Sequence, residues 1–187
     1  MIKEPIQIIA LFGESGVGKD ALQNLILKQH PTYNKLISYT TRPKRNNEID
    51  GQDYNFIKTE QFKNLIQEHK ILEYTKFNNW FYGTSINSLK DNTVNVGVFN
   101  IQGINSMITC FENKIQVTPI RVYTSNKTRL LRALSREENP DCKEICRRFL
   151  SDLIDFEKIP FKYVTFKNDK DNLEENWNDF KKQVNLR

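Results

Sequence analysis

The octapeptide GESGVGKD, residues 13–20, sets three glycines, a lysine and two acids at a spacing suited to one task. A chain of phosphates carries several negative charges that must be held with little water. Gly13, Gly16 and Gly18 have no Cβ to block close approach, so successive backbone N–H groups can face an anion. A helix starting just behind them adds the partial positive charge of its N-terminus. Lys19, directly after the last glycine, is in register to reach the outer phosphates. Glu14, Ser15 and Val17 supply the rest of the cradle's backbone. The pattern is that of a phosphate-binding loop, G-x-x-x-x-G-K-[ST], except at its last position. A magnesium-ligating hydroxyl normally stands there; here it is Asp20. A carboxylate is itself a good Mg²⁺ ligand, so Asp20 is the candidate metal residue. It also brings a negative charge close to the phosphates, which only a bound cation offsets. The plainer reading of these residues is a glycine turn between a strand and a helix.

The flanking elements fit the loop. Residues 6–12, IQIIALF, form a short apolar run ending at glycine, as a buried parallel strand does. Residues 19–30 follow with Leu22, Leu25 and Ile26 on a helical period. Strand, glycine turn and helix are the context such a loop needs. Downstream, residues 35–40, 54–57, 71–77, 93–101, 115–123 and 162–166 read as strands. Residues 59–70, 126–134, 142–156 and 172–184 read as helices. Alternating strands and helices imply an α/β fold with a parallel core sheet. Residues 40–53 hold turn residues and charges without periodicity and read as a loop. The stretch from about 36 to 90 has short strands and aromatics and reads as a small inserted subdomain.

The chain has 187 residues, enough for one sizeable domain, and a net charge of +5, which suits phosphate-bearing partners, nucleic acid or nucleotides. No apolar run approaches the roughly 20 residues of a membrane span. The first residues are too charged for a secretion signal, and with only three cysteines a disulfide framework is not expected, so the expected setting is a reducing cytoplasm. Cys142 and Cys146 lack further zinc ligands, and His30 and His69 lack any nucleophile or metal context.

The segment ISYTTRPKRNNEIDGQDYNFI, residues 37–57, resembles the guanylate kinase pattern S-x-T-T-R-x-x-R-x-x-E-x-(D/N)-G-x-D-Y-x-F. The match runs through Ser38, Thr40, Thr41, Arg42, Arg45, Glu48, Asp50, Gly51, Asp53, Tyr54 and Phe56. ILEYTKFNNWFYGTS, residues 71–85, resembles that family's second acidic segment at Glu73, Tyr82, Gly83 and Thr84. With the loop before them and an arginine-rich helix after, the resemblance covers essentially the whole chain. It implies a P-loop kinase fold with a core of residues 1–35 and 91–187, a monophosphate-binding insert at about 36–90 and a helical lid at about 132–148. Arg42 and Arg45 would clamp the acceptor's phosphate, since a planar guanidinium matches phosphate geometry. Glu48 would orient Arg45, and Tyr54 and Tyr82 would donate phenolic hydrogen bonds to the same phosphate. Glu73 would read the base: a carboxylate accepts from guanine N1–H and the exocyclic amine together, and adenine offers no such pair. Ser38 and Thr84 would hydrogen-bond the base. Taken singly, RPKR is a solvated basic loop, Tyr82 a packing aromatic and Glu73 an exposed strand residue; only their joint spacing overrides those readings.

Arg148 resembles a family arginine that bridges donor and acceptor phosphates during transfer. Arg136 corresponds to another after a one-residue shift, leaving Arg132 as the alternative. Such arginines neutralise charge on the phosphoryl group in flight, and an exposed amphipathic helix is the bland alternative. Asn168, in FKND, resembles the adenine-side asparagine. The chain departs from the family at VFNIQG, residues 98–103, where an acidic strand of the form L-D-(I/V)-D-x-Q-G is usual. Val98 stands where the first acid helps hold magnesium. Asn100 stands where the second meets the guanine amine, and its amide oxygen still accepts there. The loop gains a carboxylate at Asp20 while the strand loses one at Val98, so the metal carboxylate is expected to have moved from strand to loop.

The resulting expectation is transfer of the ATP γ-phosphoryl group to GMP or dGMP with Mg²⁺. Lys19, Arg42, Arg136 and Arg148 would be the catalytic residues, and no strong base is needed. The nucleotides are the expected partners, with neither nucleic acid nor membrane, in a monomer or homodimer. Alternatives are a broader deoxynucleoside monophosphate kinase, a sugar-phosphate kinase and a silent interaction module. The intact Ser38, Glu73 and Tyr82 speak against the second, Lys19 and the arginines against the third.

Overall fold

The computed structural model describes residues 4–45, 48–77, 79–111, 113–136, 138–169 and 172–184. Its centre is β1 (Ile6–Phe12), whose last five residues are buried. β1 pairs in parallel with β7 (Val94–Val98) on one side and β8 (Ile115–Tyr123) on the other. β2 (Asn34–Lys35) and β9 (Val164–Lys167) complete a parallel sheet of order β2-β7-β1-β8-β9. Helices on both faces explain why the central strands are nearly continuous apolar runs. α1 (Lys19–Gln29) and α6 (Leu173–Val184) cover one face, where Leu22, Ile26, Phe166, Trp177 and Phe180 are buried together. α3 (Ile101–Cys110) covers the other with Ile104 and Met107 against Phe12, Leu72 and Phe99.

A second sheet, order β4-β3-β6-β5, comes from β3 (Tyr39–Thr40), β4 (Asn55–Phe56), β5 (Ile71–Phe77) and β6 (Trp80–Ser85). α2 (Thr59–Gln67) pins it by burying Phe62, whose ring stacks on Phe81 with centroids 5.2 Å apart. Two helices, α4 (Asn126–Leu134) and α5 (Cys142–Asp155), flank the loop of residues 13–20. Among the described residues, no helix is long and apolar enough to cross a membrane.

Three local readings change. The strand expected at 35–40 is divided: Lys35 belongs to the core sheet, Tyr39 to the second sheet, and the chain crosses between them. The β-rich run 93–101 stops at Val98, and a helix begins at Ile101. Asn100 caps that helix by accepting the Gly103 N–H at 2.7 Å, which satisfies one otherwise orphaned donor. The helix itself carries three isoleucines, a threonine and a glycine, so tertiary packing rather than propensity makes it. Residues 80–85, given no element in the sequence reading, form β6 and pair antiparallel with both β3 and β5.

Candidate active site

The loop between β1 and α1 is built around glycine. Gly13, Gly16 and Gly18 hold φ of 148°, 83° and 93°, which side chains with a Cβ rarely adopt. Space is closed as well: a Cβ on Gly13 would lie 2.1 Å from the Val122 carbonyl oxygen. Lys19 opens α1 and folds back over the loop, donating from Nζ to the carbonyls of Gly13 (2.8 Å) and Glu14 (3.0 Å). Burial pushes its pKa down, opposed by Asp20, Asp152 and Glu14. Glu14 also accepts from Arg121 Nη2 at 2.7 Å.

A cleft of about 400 Å³ runs from this loop to the second sheet. Ser15, Gly16, Lys19 and Asp20 line it on the core side. Arg42, Arg45, Glu48, Tyr54 and Tyr82 face it from the second sheet. Arg136 and Arg148 reach it from the helical side. Val98 lines the same cleft, so the position that lost its acid and the position that gained one share a space. Asp53, Asp152 and Asp155 line it too, so Asp20 has acidic company that the sequence did not reveal.

Arg42 is 7% exposed and is the structural centre of the second-sheet wall. Its guanidinium donates to both oxygens of Glu48, at 2.7 and 2.6 Å. It lies 5.2 Å from the Tyr54 ring centre and 5.4 Å from that of Phe56. Burial works against its charge, but the Glu48 hydrogen bonds and charge prevail and raise its pKa. The sequence reading paired Glu48 with Arg45; in the structure its carboxylate also grips the Arg42 guanidinium with two hydrogen bonds. Arg45 gives Glu48 its main-chain N–H at 2.8 Å. Glu48 in turn gives its own N–H to the Arg45 carbonyl at 3.2 Å. Tyr54 and Tyr82 meet edge to face, centroids 6.2 Å apart. Burial, with the charge of Asp20 next, pushes the Tyr54 phenol up to about 12, so it stays a hydrogen-bond donor.

Behind this wall, Glu73 on β5 faces Thr84 on β6 in register. Ser38 Oγ lies 3.2 Å from Thr84 Oγ1. Glu73 is 7% exposed, and burial pushes its carboxyl up to about 7, with hydrogen bonds from Thr84 opposing. The N-terminus of α3 closes over it: a Cβ on Gly103 would lie 2.5 Å from Glu73 Oε2. Asn100 stands beside this group with its amide oxygen engaged as the α3 cap.

The remaining expected residues divide between the cleft and the far side of the loop. Asn168 is buried under the loop and donates from Nδ2 to the Val17 carbonyl at 2.8 Å. Arg132 reaches the Val17 and Asn168 carbonyls at 3.3 Å each, on the outer side of the loop, while Arg136 faces the cleft. Arg148 Nε donates to Glu144 at 2.7 Å. Arg147 shares that carboxylate, and the two arginines hold it down to about 2. Sequence reasoning missed Arg121, Arg129, Asp152 and Gly103. An acid within the largely apolar stretch FLSDLIDF, the second half of α5, was the one available sign of Asp152.

A sequence model of the guanylate kinase family matches residues 6–185. The chain belongs to the guanylate kinase family. Individual family members agree. The guanylate kinase of Wigglesworthia glossinidia brevipalpis is 32% identical over 161 residues, 81% of this chain and 76% of that one. Those of Synechocystis sp. and Schizosaccharomyces pombe are 45% and 42% identical over 78 and 86 residues. The chain spans 41% and 42% of the lengths of these last two relatives. The crystal structure of guanylate kinase from Anaplasma phagocytophilum superposes with a TM-score of 0.66 at 20% identity, covering 99% of this chain and 87% of that one. At that identity the likeness concerns the fold: an α/β core with a parallel sheet flanked by helices.

Proposed function

We propose that this chain transfers the γ-phosphoryl group of ATP to GMP or dGMP, giving ADP and the nucleoside diphosphate. The observation that carries this reading is the shared cleft: loop residues Lys19 and Asp20 on one wall, Arg42, Arg45, Tyr54 and Tyr82 on the other. A donor phosphate chain on the first wall and an acceptor phosphate on the second meet end to end. Glu73, Thr84 and Ser38 supply a polar pocket behind the acceptor phosphate that suits a base with adjacent donors. The core binds ATP, the second sheet binds the monophosphate, and residues of about 132–148, from the end of α4 into the first half of α5, form the lid. Retention of Lys19 and the cleft arginines argues against a silent interaction module.

Each residue has a physical task. Lys19 leaves the Gly13 and Glu14 carbonyls and turns to the β- and γ-phosphates. Arg42, fixed by Glu48 and by two aromatic faces, presents a rigid fork to the acceptor phosphate. Arg136 and Arg148 neutralise charge on the group in flight, Arg148 exchanging Glu144 for phosphate. Closure of the lid excludes water, the rival acceptor. Positioning and charge compensation carry the rate.

The chain suits Mg²⁺ bound through nucleotide phosphates and one protein carboxylate. Among the described residues no three His, Cys, Asp or Glu side chains form a ready-made cage, and Mg²⁺ held by phosphates needs none. Asp20 is the candidate. Asp152 is held by Arg129 and the Ser15 N–H, and Asp53 accepts the Ile49 N–H at 2.7 Å. When bound, the ion supplies Lewis-acid polarisation and charge neutralisation at the β- and γ-oxygens. Asp20→Ser is therefore expected to raise the Mg²⁺ concentration for half-maximal activity about tenfold, a loss of about 1.4 kcal/mol. Adding Val98→Asp should recover part of that, at some cost to apo stability because the new carboxylate is half-buried beside β1. Magnesium titrations of kcat for the wild type, both single variants and the double check this. Equal activity of Asp20→Ser and wild type at low Mg²⁺ would show Asp20 to be a bystander.

A test of the reading as a whole is direct binding. Isothermal titration should give one site each for ATP and GMP, both occupied together.

A further inference from the structure

At the edge of the expected site lies a buried ion pair that the reaction outlined above does not use. Arg129 on α4 is 3% exposed and Asp152 on α5 is 9% exposed, and their side chains are hydrogen-bonded to each other. Both also hold one loop residue. Asp152 Oδ2 accepts the Ser15 N–H at 2.9 Å, and Arg129 Nε donates to the Ser15 carbonyl at 2.9 Å. Ser15, Asp152 and Arg129 thus close a ring in which both main-chain groups of the loop residue are satisfied by side chains. Arg129 is fixed further by Asn126 Oδ1 at 3.2 Å and by the Phe149 ring, 4.6 Å away. The loop has no slack here, since a Cβ on Gly16 would lie 2.7 Å from the Arg129 carbonyl oxygen.

The placement of this ring matters because of its neighbours. Asp152 lies about one helical turn after Arg148 on α5. Arg136 follows directly after α4, the helix that carries Arg129. The two cleft arginines therefore ride on the two elements that the ion pair joins. Fixing Arg129 and Asp152 to Ser15 sets the distance from the phosphate loop to Arg136 and Arg148. A buried ion pair is a costly way to hold two helices together, because apolar residues of similar volume do so equally well. A role in geometry accounts for the charges where a role in stability does not.

We infer that Arg129 and Asp152 are positioning residues that lock the phosphate loop to α4 and α5 through Ser15, so that ATP binding and the placement of the transfer arginines are coupled. Resting on the phosphoryl-transfer reading, this adds a residue pair to it. The prediction is specific to the donor side. Loosening the ring weakens ATP binding and lowers kcat, but leaves the monophosphate's own site on the second sheet intact.

The experiment uses the full chain. Asp152→Ala alone leaves Arg129 buried without its partner and invites misfolding. The decisive variant is instead Arg129→Met combined with Asp152→Leu, which removes both charges and keeps the space filled. Its thermal midpoint is measured first, followed by isothermal titration with Mg·ATP and with GMP separately, and by steady-state kinetics. The expected result is a folded protein with ATP affinity and kcat each reduced about tenfold and GMP affinity within twofold of wild type. Arg129→Lys, a shorter side chain with a point charge in place of the planar fork that spans Ser15 and Asp152, should show the same split more weakly. A folded double variant with unchanged ATP affinity and kcat would overturn the inference. So would tighter ATP binding, which would make Asp152 a competitor of the phosphates. Failure of the wild type itself to bind ATP would instead overturn the phosphoryl-transfer reading.

Discussion

Arg42→Ala is expected to lower kcat/KM for the monophosphate by about 2–4 kcal/mol, or roughly 30- to 1,000-fold, with the KM for ATP within twofold of wild type. Arg42 is buried, holds Glu48 with two hydrogen bonds and lies over Tyr54 and Phe56. Removing it deletes the phosphate ligand, leaves the Glu48 carboxylate without its partner, and opens a void between two rings. The folded state should lose about 3 kcal/mol, the usual scale for stranding one member of a buried pair. Stability and catalysis separate in Arg42→Lys. It keeps a charge near Glu48 and restores part of the stability, but it cannot form the two-pronged contact that fixes the guanidinium plane. Its kcat/KM should therefore remain close to that of the alanine variant. Denaturant unfolding and steady-state kinetics with each substrate varied in turn check these points. Equal loss of ATP and monophosphate use would put Arg42 on the wrong side of the cleft.

Glu73→Gln should cost about 2–4 kcal/mol in kcat/KM for GMP, because a charged acceptor of two donors becomes an amide with one mismatched end. Its pH behaviour is more diagnostic. Burial, only partly opposed by Thr84, raises the Glu73 carboxyl to about 7, above its ordinary 4.5. Reading guanine needs the ionised form, so kcat/KM for GMP should fall as pH drops below about 7. GMP's own phosphate titrates near pH 6. The limb due to Glu73 is the one that disappears in Glu73→Gln. The sign for stability is opposite. A raised folded-state pKa means the folded protein binds the extra proton between about 4.5 and 7, so this group's contribution is present at low pH and lost as pH rises through that window. Glu73→Gln is thus expected to leave Tm unchanged near pH 4 and to raise it near pH 8, where wild type must keep an ionised carboxylate among β5, β6 and α3. Thermal melts across that range are the check.

Much of this site was legible because its signals are local. The glycine spacing, Lys19 and the apolar run before them specify a strand, a turn and a helix within residues 6–30, and all three are present. The acceptor-side residues could be gathered because their spacing matched a family pattern, although nothing in the sequence alone said that residues 73 and 84 lie on paired strands, with residue 38 just before a third. What was not legible depends on three-dimensional geometry. That Glu48 grips the Arg42 guanidinium while meeting Arg45 at its main chain depends on geometry that spacing does not encode. α3 was invisible because its isoleucines and threonine suit a strand as well as a helix, and a tertiary face decides between them. The Arg129–Asp152 pair joins separate helices, and each member read alone looks like a solvated helix residue.

Guanine specificity read by Glu73 is the central claim, and a panel of acceptors tests it most directly. ADP release is measured with GMP, dGMP, AMP, CMP, UMP and a sugar monophosphate at fixed ATP and Mg²⁺. The account predicts that kcat/KM for GMP and dGMP exceeds that for AMP by at least about a hundredfold, in line with about 3 kcal/mol from a buried charged acceptor meeting two donors. Comparable kcat/KM for AMP and GMP, or turnover of the sugar phosphate alone, would contradict it.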